Sequence, residues 1–200
     1  MISPGEEKAW EILESLDASA VCRNASVKFV EKSGHYVIKS FCIDIHVNPK
    51  NRIISSPTPR GMDILIRHGY FSRHAYLWYL IHAKEMPPTG KLVRPVDLRG
   101  GENFFGGSHA LPMDRLAKRH EDDRQSFIKS GHEFCADILD YGDASLRLLP
   151  LPRIPVVLIL WLKDEEFPSR VDLLFDSTCE RQLPVDIIWC VAMMSILVMM

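Results

Sequence analysis

Between Pro155 and Leu162 the chain reads Pro-Val-Val-Leu-Ile-Leu-Trp-Leu, without one charged or hydroxyl side chain. A strand with one wet face alternates apolar and polar residues, whereas an unbroken run of this length fits a strand covered on both faces. The run predicts that residues 156–161 form the middle strand of a sheet, paired on both sides. Residues 144–149 before it and 171–175 after it read as its neighbours. Asp164-Glu165-Glu166-Phe167-Pro168 makes one of the connections.

The rest of the chain supplies what such a strand must pack against. Ser3 can cap a helix whose first turn holds Pro4, Glu6 and Glu7, and Ala9, Trp10, Ile12, Leu13 and Leu16 then recur at helical spacing. A short helical turn covers 18–23. From Val27 to Ile45 the period changes to two, with Lys32-Ser33-Gly34 as a turn, which predicts antiparallel strands; a further short strand follows at 52–55. Residues 61–84 return to helical spacing, divided by Gly69, and Pro87-Pro88-Thr89-Gly90 ends that stretch. Residues 92–98 read as a short extended piece and 100–109 as an irregular glycine-rich loop. Helices are predicted at 111–120 and 122–139, and a last one at 187–200. Strands follow strands and helices follow helices, so the expected class is α+β, with a mainly antiparallel sheet, N-terminal, middle and C-terminal helices, and one domain over 1–200.

Composition excludes several functions. An apolar share of 46% and a charged share of 25% belong to a globular chain. With 24 basic and 26 acidic residues, the charge balance gives no global field for a phosphate backbone, and no nucleic-acid partner is expected. Residues 187–200 contain only Ser195 as a polar side chain, but a bilayer span needs about 20 apolar residues. The segment therefore predicts a buried helix and no membrane span, with any surplus apolar face forming a homodimer contact. The five cysteines include no CxxC pair, which removes local support for a zinc knuckle or a cluster. Their odd number, and a start without a leader-like apolar stretch, predict a cytoplasmic protein with reduced thiols.

Candidate chemistry is sparse. The glycine-rich stretch lacks the spacing of a phosphate loop, and no serine or cysteine has a nucleophile signature. His109 stands out among eight histidines because it sits in that stretch beside Phe104 and Phe105, where backbone can approach a ligand closely. Asp143 lies at a predicted strand edge. These four are the expected ligand-binding residues. Asp164 and Glu165, at the end of the central strand, are candidate ligands for a hard cation, against the plainer reading of a solvated turn. No residue is singled out as catalytic, and whether the chain is an enzyme is left open.

Taken together, Phe104-Phe105-Gly106-Gly107-Ser108-His109-Ala110-Leu111-Pro112, Tyr141-Gly142-Asp143-Ala144, Leu151-Pro152-Arg153-Ile154-Pro155, Leu160-Trp161, Asp164-Glu165-Glu166-Phe167-Pro168 and Leu174-Phe175-Asp176-Ser177 resemble the family catalogued as domain of unknown function 3786. The helix over 76–83, with Pro88-Thr89-Gly90 after it, is similar to that family's middle section. The resemblance spans nearly the whole chain and implies a setting in anaerobic bacteria and archaea. Some members carry an added iron–sulfur segment, which has no counterpart among these cysteines. The expectation is a binding or accessory protein of anaerobic metabolism that engages a metal-containing cofactor, of tetrapyrrole or corrinoid type, or its carrier protein. Two alternatives stand beside it. One is an enzyme using His109 with Asp143, Asp164, Glu165 and Asp176 for acid–base or metal-assisted chemistry; the other is a structural interaction module.

Overall fold

The structure, a computed structural model, describes residues 3–106 and 109–200. Gly107 and Ser108, within the predicted glycine-rich loop, lie outside the described residues. Helix α1 (Pro4–Ser15) starts at the expected cap, where the Ser3 hydroxyl oxygen accepts from the Glu6 amide at 3.2 Å. Its buried face, Ala9, Trp10 and Leu13, rests on a later helix. Helix α2 (Ala18–Ala25) is capped by Asp17. The period-two stretch folds as the meander β1 (Lys28–Val30), β2 (His35–Ser40), β3 (Ile43–Asn48) and β4 (Ile53–Ser55), each strand antiparallel to the last. Helix α3 (Pro59–His82) then bends at Gly69, whose φ of 43° and ψ of −109° are open only to glycine. The two halves pack against α1, α2, β3 and β4.

A second, five-stranded sheet has the order β5 (Leu92–Val93), β9 (Arg170–Asp176), β8 (Ile154–Trp161), β7 (Ala144–Leu151) and β6 (Asp137–Leu139), all antiparallel. The apolar run is the central strand β8, paired on both sides as its sequence predicts. Its inner residues Val156, Leu158 and Leu160 face the core with Val171, Leu173 and Phe175 of β9, all nearly inaccessible. The short helices α4 (Gly101–Phe105), α5 (Met113–Arg119) and α6 (Arg124–His132) connect β5 to β6, and α7 (Cys179–Gln182) leads into α8 (Val185–Leu197). Helix α8 packs mainly on α3, with further contacts to α4, α7 and β7. No helix among the described residues is long and apolar enough to cross a membrane.

Four expectations need correction. The predicted helix 122–139 stops at His132: the chain turns through Cys135 at a φ of 53° and enters β6, an exposed edge strand with too few residues to show a period. The stretch 100–109 is less irregular than expected, because Gly100, at a φ of 78°, starts the one-turn helix α4. Gly101 is required there, since an added Cβ would lie 2.0 Å from the Pro95 carbonyl oxygen. The strands form two sheets rather than one. No residue from Ile187 to Met200 is exposed, in line with the buried helix expected there. Last, the thiols are not all reduced: Cys42 and Cys135, 93 residues apart, form a disulfide, leaving Cys22, Cys179 and Cys190 free.

Candidate functional site

The outer face of the five-stranded sheet carries the site. Side chains alternate along a strand, so Val157, Ile159 and Trp161 of β8 share this face with their β9 partners Leu174, Asp172 and Arg170. The segment 94–97 and the start of α5 roof one end, enclosing a cavity of about 480 Å³. Its apolar walls are Val96, Phe105, Leu111, Met113, Ile159 and Leu174, and the guanidiniums of Arg94 and Arg170 line it as well. A second cavity of about 530 Å³ adjoins it and is lined by Asp143, Trp161, Asp164, Phe167, Pro168 and again Arg170. The two cavities make one groove, with Arg170 at the junction.

The charged groups along this groove are held in different ways. Arg94 makes a fork to Asp97, two hydrogen bonds of 2.8 Å, so most of its charge is already answered. Arg170 lies over the Trp161 ring at 4.7 Å and makes no ion pair among the described residues. Trp161 Nε1 donates to Asp172 at 2.8 Å, which fixes the indole under the guanidinium. Sequence analysis missed Arg170, Arg94 and Trp161. A signal was present: β9 begins Arg-Val-Asp, with polar residues at 170 and 172 beside a wholly apolar strand.

The predicted site residues are divided between this groove and a separate aromatic cluster. Phe105, Asp143 and Asp164 line the groove, with Ala110 and Leu111 next to His109. Phe104 and His109 line neither cavity: their rings stack at 4.2 Å, and His109 meets Trp189 at 5.2 Å, with the two rings nearly perpendicular. Asp143 and Asp164 line the same cavity but are committed to backbone. Asp143 accepts from the Leu162 amide at 2.8 Å, and Asp164 from the amides of Glu166 and Phe167 at 2.8 and 2.7 Å. Those bonds hold the Asp164 carboxyl below the usual carboxylate range. Glu165 is exposed and lines neither cavity. Among the described residues no three histidine, cysteine or carboxylate side chains are grouped to hold a metal ion.

Asp176, the remaining carboxylate of the acid–base alternative, is buried at 2% exposure and fully occupied. It accepts from the Thr178 amide and hydroxyl at 3.0 and 2.7 Å, from the Gly90 amide at 2.6 Å and from the Thr89 hydroxyl at 3.3 Å. Burial alone would raise its pKa, but these bonds outweigh it and keep the carboxylate ionised. Its work is to tie the Thr89-Gly90 turn and β5 to the end of β9, directly ahead of the Arg94 wall. The free thiols offer no nucleophile. Burial pushes Cys179 and Cys190 up to about 12, and Cys22 is raised as well by burial and by Asp17.

Fold and groove define an α+β protein of two antiparallel sheets, with an apolar-walled groove, lined by two arginines and three aspartates, on the outside of the larger one. The chain belongs to the family described as domain of unknown function (DUF3786), which matches residues 17–197 and so leaves α1 outside the matched stretch. No curated protein and no solved structure matches it.

Proposed function

We propose that this chain is a non-enzymatic binding or accessory protein that holds a metal-containing tetrapyrrole or corrinoid in the sheet-face groove. The observation that carries the reading is Arg170: a guanidinium without an ion pair among the described residues, set where two apolar-walled cavities meet. A flat macrocycle with polar side arms needs apolar wall area for its plane and a guanidinium for its edge. Among the described residues no histidine or cysteine lines either cavity, so recognition rests on the macrocycle and its side arms rather than on the metal. Binding is favoured over acid–base catalysis because Asp143, Asp164 and Asp176 spend their oxygens on backbone and threonine donors. A role in anaerobic metabolism goes with the family resemblance, and a cytoplasmic location with the odd cysteine count.

The test is titration of the oxygen-free protein with two probes, iron protoporphyrin, which carries carboxylates, and hydroxocobalamin, followed by absorbance and by quenching of Trp161. Dissociation constants at or below about 10 μM are expected for at least one probe. Arg170→Ala should weaken that binding at least about tenfold, the scale of one lost charge-assisted bond, while the unfolding midpoint stays put. Failure of both probes to bind below about 1 mM, or equal binding by the variant, would sink the reading.

A further inference from the structure

The disulfide is placed in an unusual way for a structural bond. Its first half sits at the tip of the β2–β3 hairpin, where Ser40 pairs with Ile43 and only Phe41 and Cys42 turn the chain. Both have positive φ, 49° and 58°, the geometry of a two-residue turn that Asn-Gly normally occupies. Cys135, at a φ of 53°, is the second half, in the turn between α6 and β6. Both half-cystines are exposed, while their neighbours Phe41 and Phe134 are buried and meet edge to face at 6.0 Å.

From this placement we infer that Cys42–Cys135 is a thiol–disulfide exchange site, reduced reversibly by a dithiol while the domain stays folded. One thiolate of the dithiol attacks a sulfur of one of these exposed half-cystines; the S–S bond breaks, a mixed disulfide forms, and the other cysteine leaves as a thiolate that takes a proton. The second thiol of the reductant then displaces the remaining cysteine. Two electrons pass to the protein pair, and the reductant becomes its own disulfide.

Three observations support reversibility. The hairpin tip and the α6–β6 turn have other anchors that survive reduction: the Phe41 amide donates to the Leu149 carbonyl at 2.8 Å, the Phe41–Phe134 contact is apolar, and Glu133, beside the turn, pairs with Arg60 of α3. The three other cysteines do not compete, because Cys179 and Cys190 are buried and Cys22 is half-buried. The link also joins the two sheets across their turns, so opening it removes the covalent tie between the hairpin and the α6–β6 turn while the Phe41–Phe134 contact still holds them together. The reduced thiols expected from the sequence then describe one of two states. This inference is independent of what the groove binds.

The native protein is equilibrated in graded ratios of reduced to oxidised dithiothreitol, acid-quenched, alkylated and mapped by mass spectrometry. Cys42 and Cys135 should label together without denaturant, following a two-electron couple in which tenfold in the thiol ratio corresponds to about 30 mV. The Cys42→Ser/Cys135→Ser variant should keep the far-ultraviolet and tryptophan spectra of the parent. Labelling that appears only in denaturant, or a double variant that does not fold, would make the bond a structural staple. Free thiols at both positions after oxidised dithiothreitol treatment would mean that no bond forms. Each of these results overturns the inference.

Discussion

Replacing Asp176 tests whether the groove wall is held by one buried carboxylate. Thr178 is itself 4% exposed, so in Asp176→Ala its amide and hydroxyl lose their acceptor where water does not reach. Each such orphaned donor costs roughly 1–3 kcal/mol. Gly90 and Thr89 are exposed, and water replaces their bonds at little cost. The sum is a loss of about 4 kcal/mol for alanine. Asparagine separates charge from shape: its Oδ1 keeps both Thr178 donors, but its Nδ2 would face the Gly90 amide, two donors where a 2.6 Å bond stood. About 2 kcal/mol is expected for Asp176→Asn, on the same scale for one orphaned pair. Urea unfolding followed by tryptophan fluorescence measures both. An alanine variant within about 0.5 kcal/mol of the parent, the spread of ordinary surface changes, would refute the reasoning.

The same residue sets a pH dependence whose sign is fixed. The folded carboxyl binds its proton less readily than the unfolded one, so its stabilisation is complete above the ordinary carboxylate pKa of 3.8 and is lost as pH falls through the lower folded value. Asp176→Asn should flatten that acid limb. A limb of unchanged steepness in the variant would assign acid sensitivity to other groups, with Glu6 the next to test. Its carboxylate accepts from Trp10 Nε1 at 3.2 Å and from Arg73 Nε at 2.9 Å, and these bonds outweigh burial and lower its pKa too.

Three further variants probe the core. His68 is 3% exposed with Nδ1 unpartnered, and burial, aided by the Arg67 charge, brings it down to about 4. The unfolded chain therefore takes up a proton first, stability falls by about 3 kcal/mol between pH 6.5 and 4, and His68→Leu should remove that fall in a pH series of urea midpoints. Leu158→Asp, at 0% exposure in the central strand, should give no soluble folded protein; a monomeric variant with a normal melting temperature would place β8 at a sheet edge. Gly131→Ala would bring its Cβ to 2.4 Å from Leu146 Cδ1 and should cost roughly 1–3 kcal/mol, partly recovered by adding Leu146→Val. Equal losses in the single and double variants would show that the clash is not with Leu146.

How far the fold was legible depended on how strongly each segment repeats. The apolar run of β8 and the all-apolar α8 left little choice, because no exposed position suits them, and the Ser3 cap, the meander and the bend at Gly69 followed from local chemistry. Strand β6 was missed for a physical reason. Its three residues are exposed or half-exposed, the preceding helix has helical spacing up to His132, and only the tertiary edge of β7 makes the segment a strand. Period-two strands also carry no label of their sheet, so one sheet and two read alike in sequence.

The candidate site was legible only where one residue could be judged by its neighbours. Phe105, Asp143 and Asp164 do reach the groove, each from a segment singled out for its turns. His109 was chosen because glycines free the backbone around it, yet its ring is engaged with Phe104 and Trp189. Arg170 was not singled out, because it stands just ahead of the strand expected over 171–175. What gives it meaning is register: opposite Trp161, two pairs along from Ile159–Asp172 and so on the same face, it stands over an indole that Asp172 holds in place. A guanidinium so placed is already stacked on its apolar side and keeps its N–H edge for an anion, which is why the binding test is built on this residue rather than on the histidine.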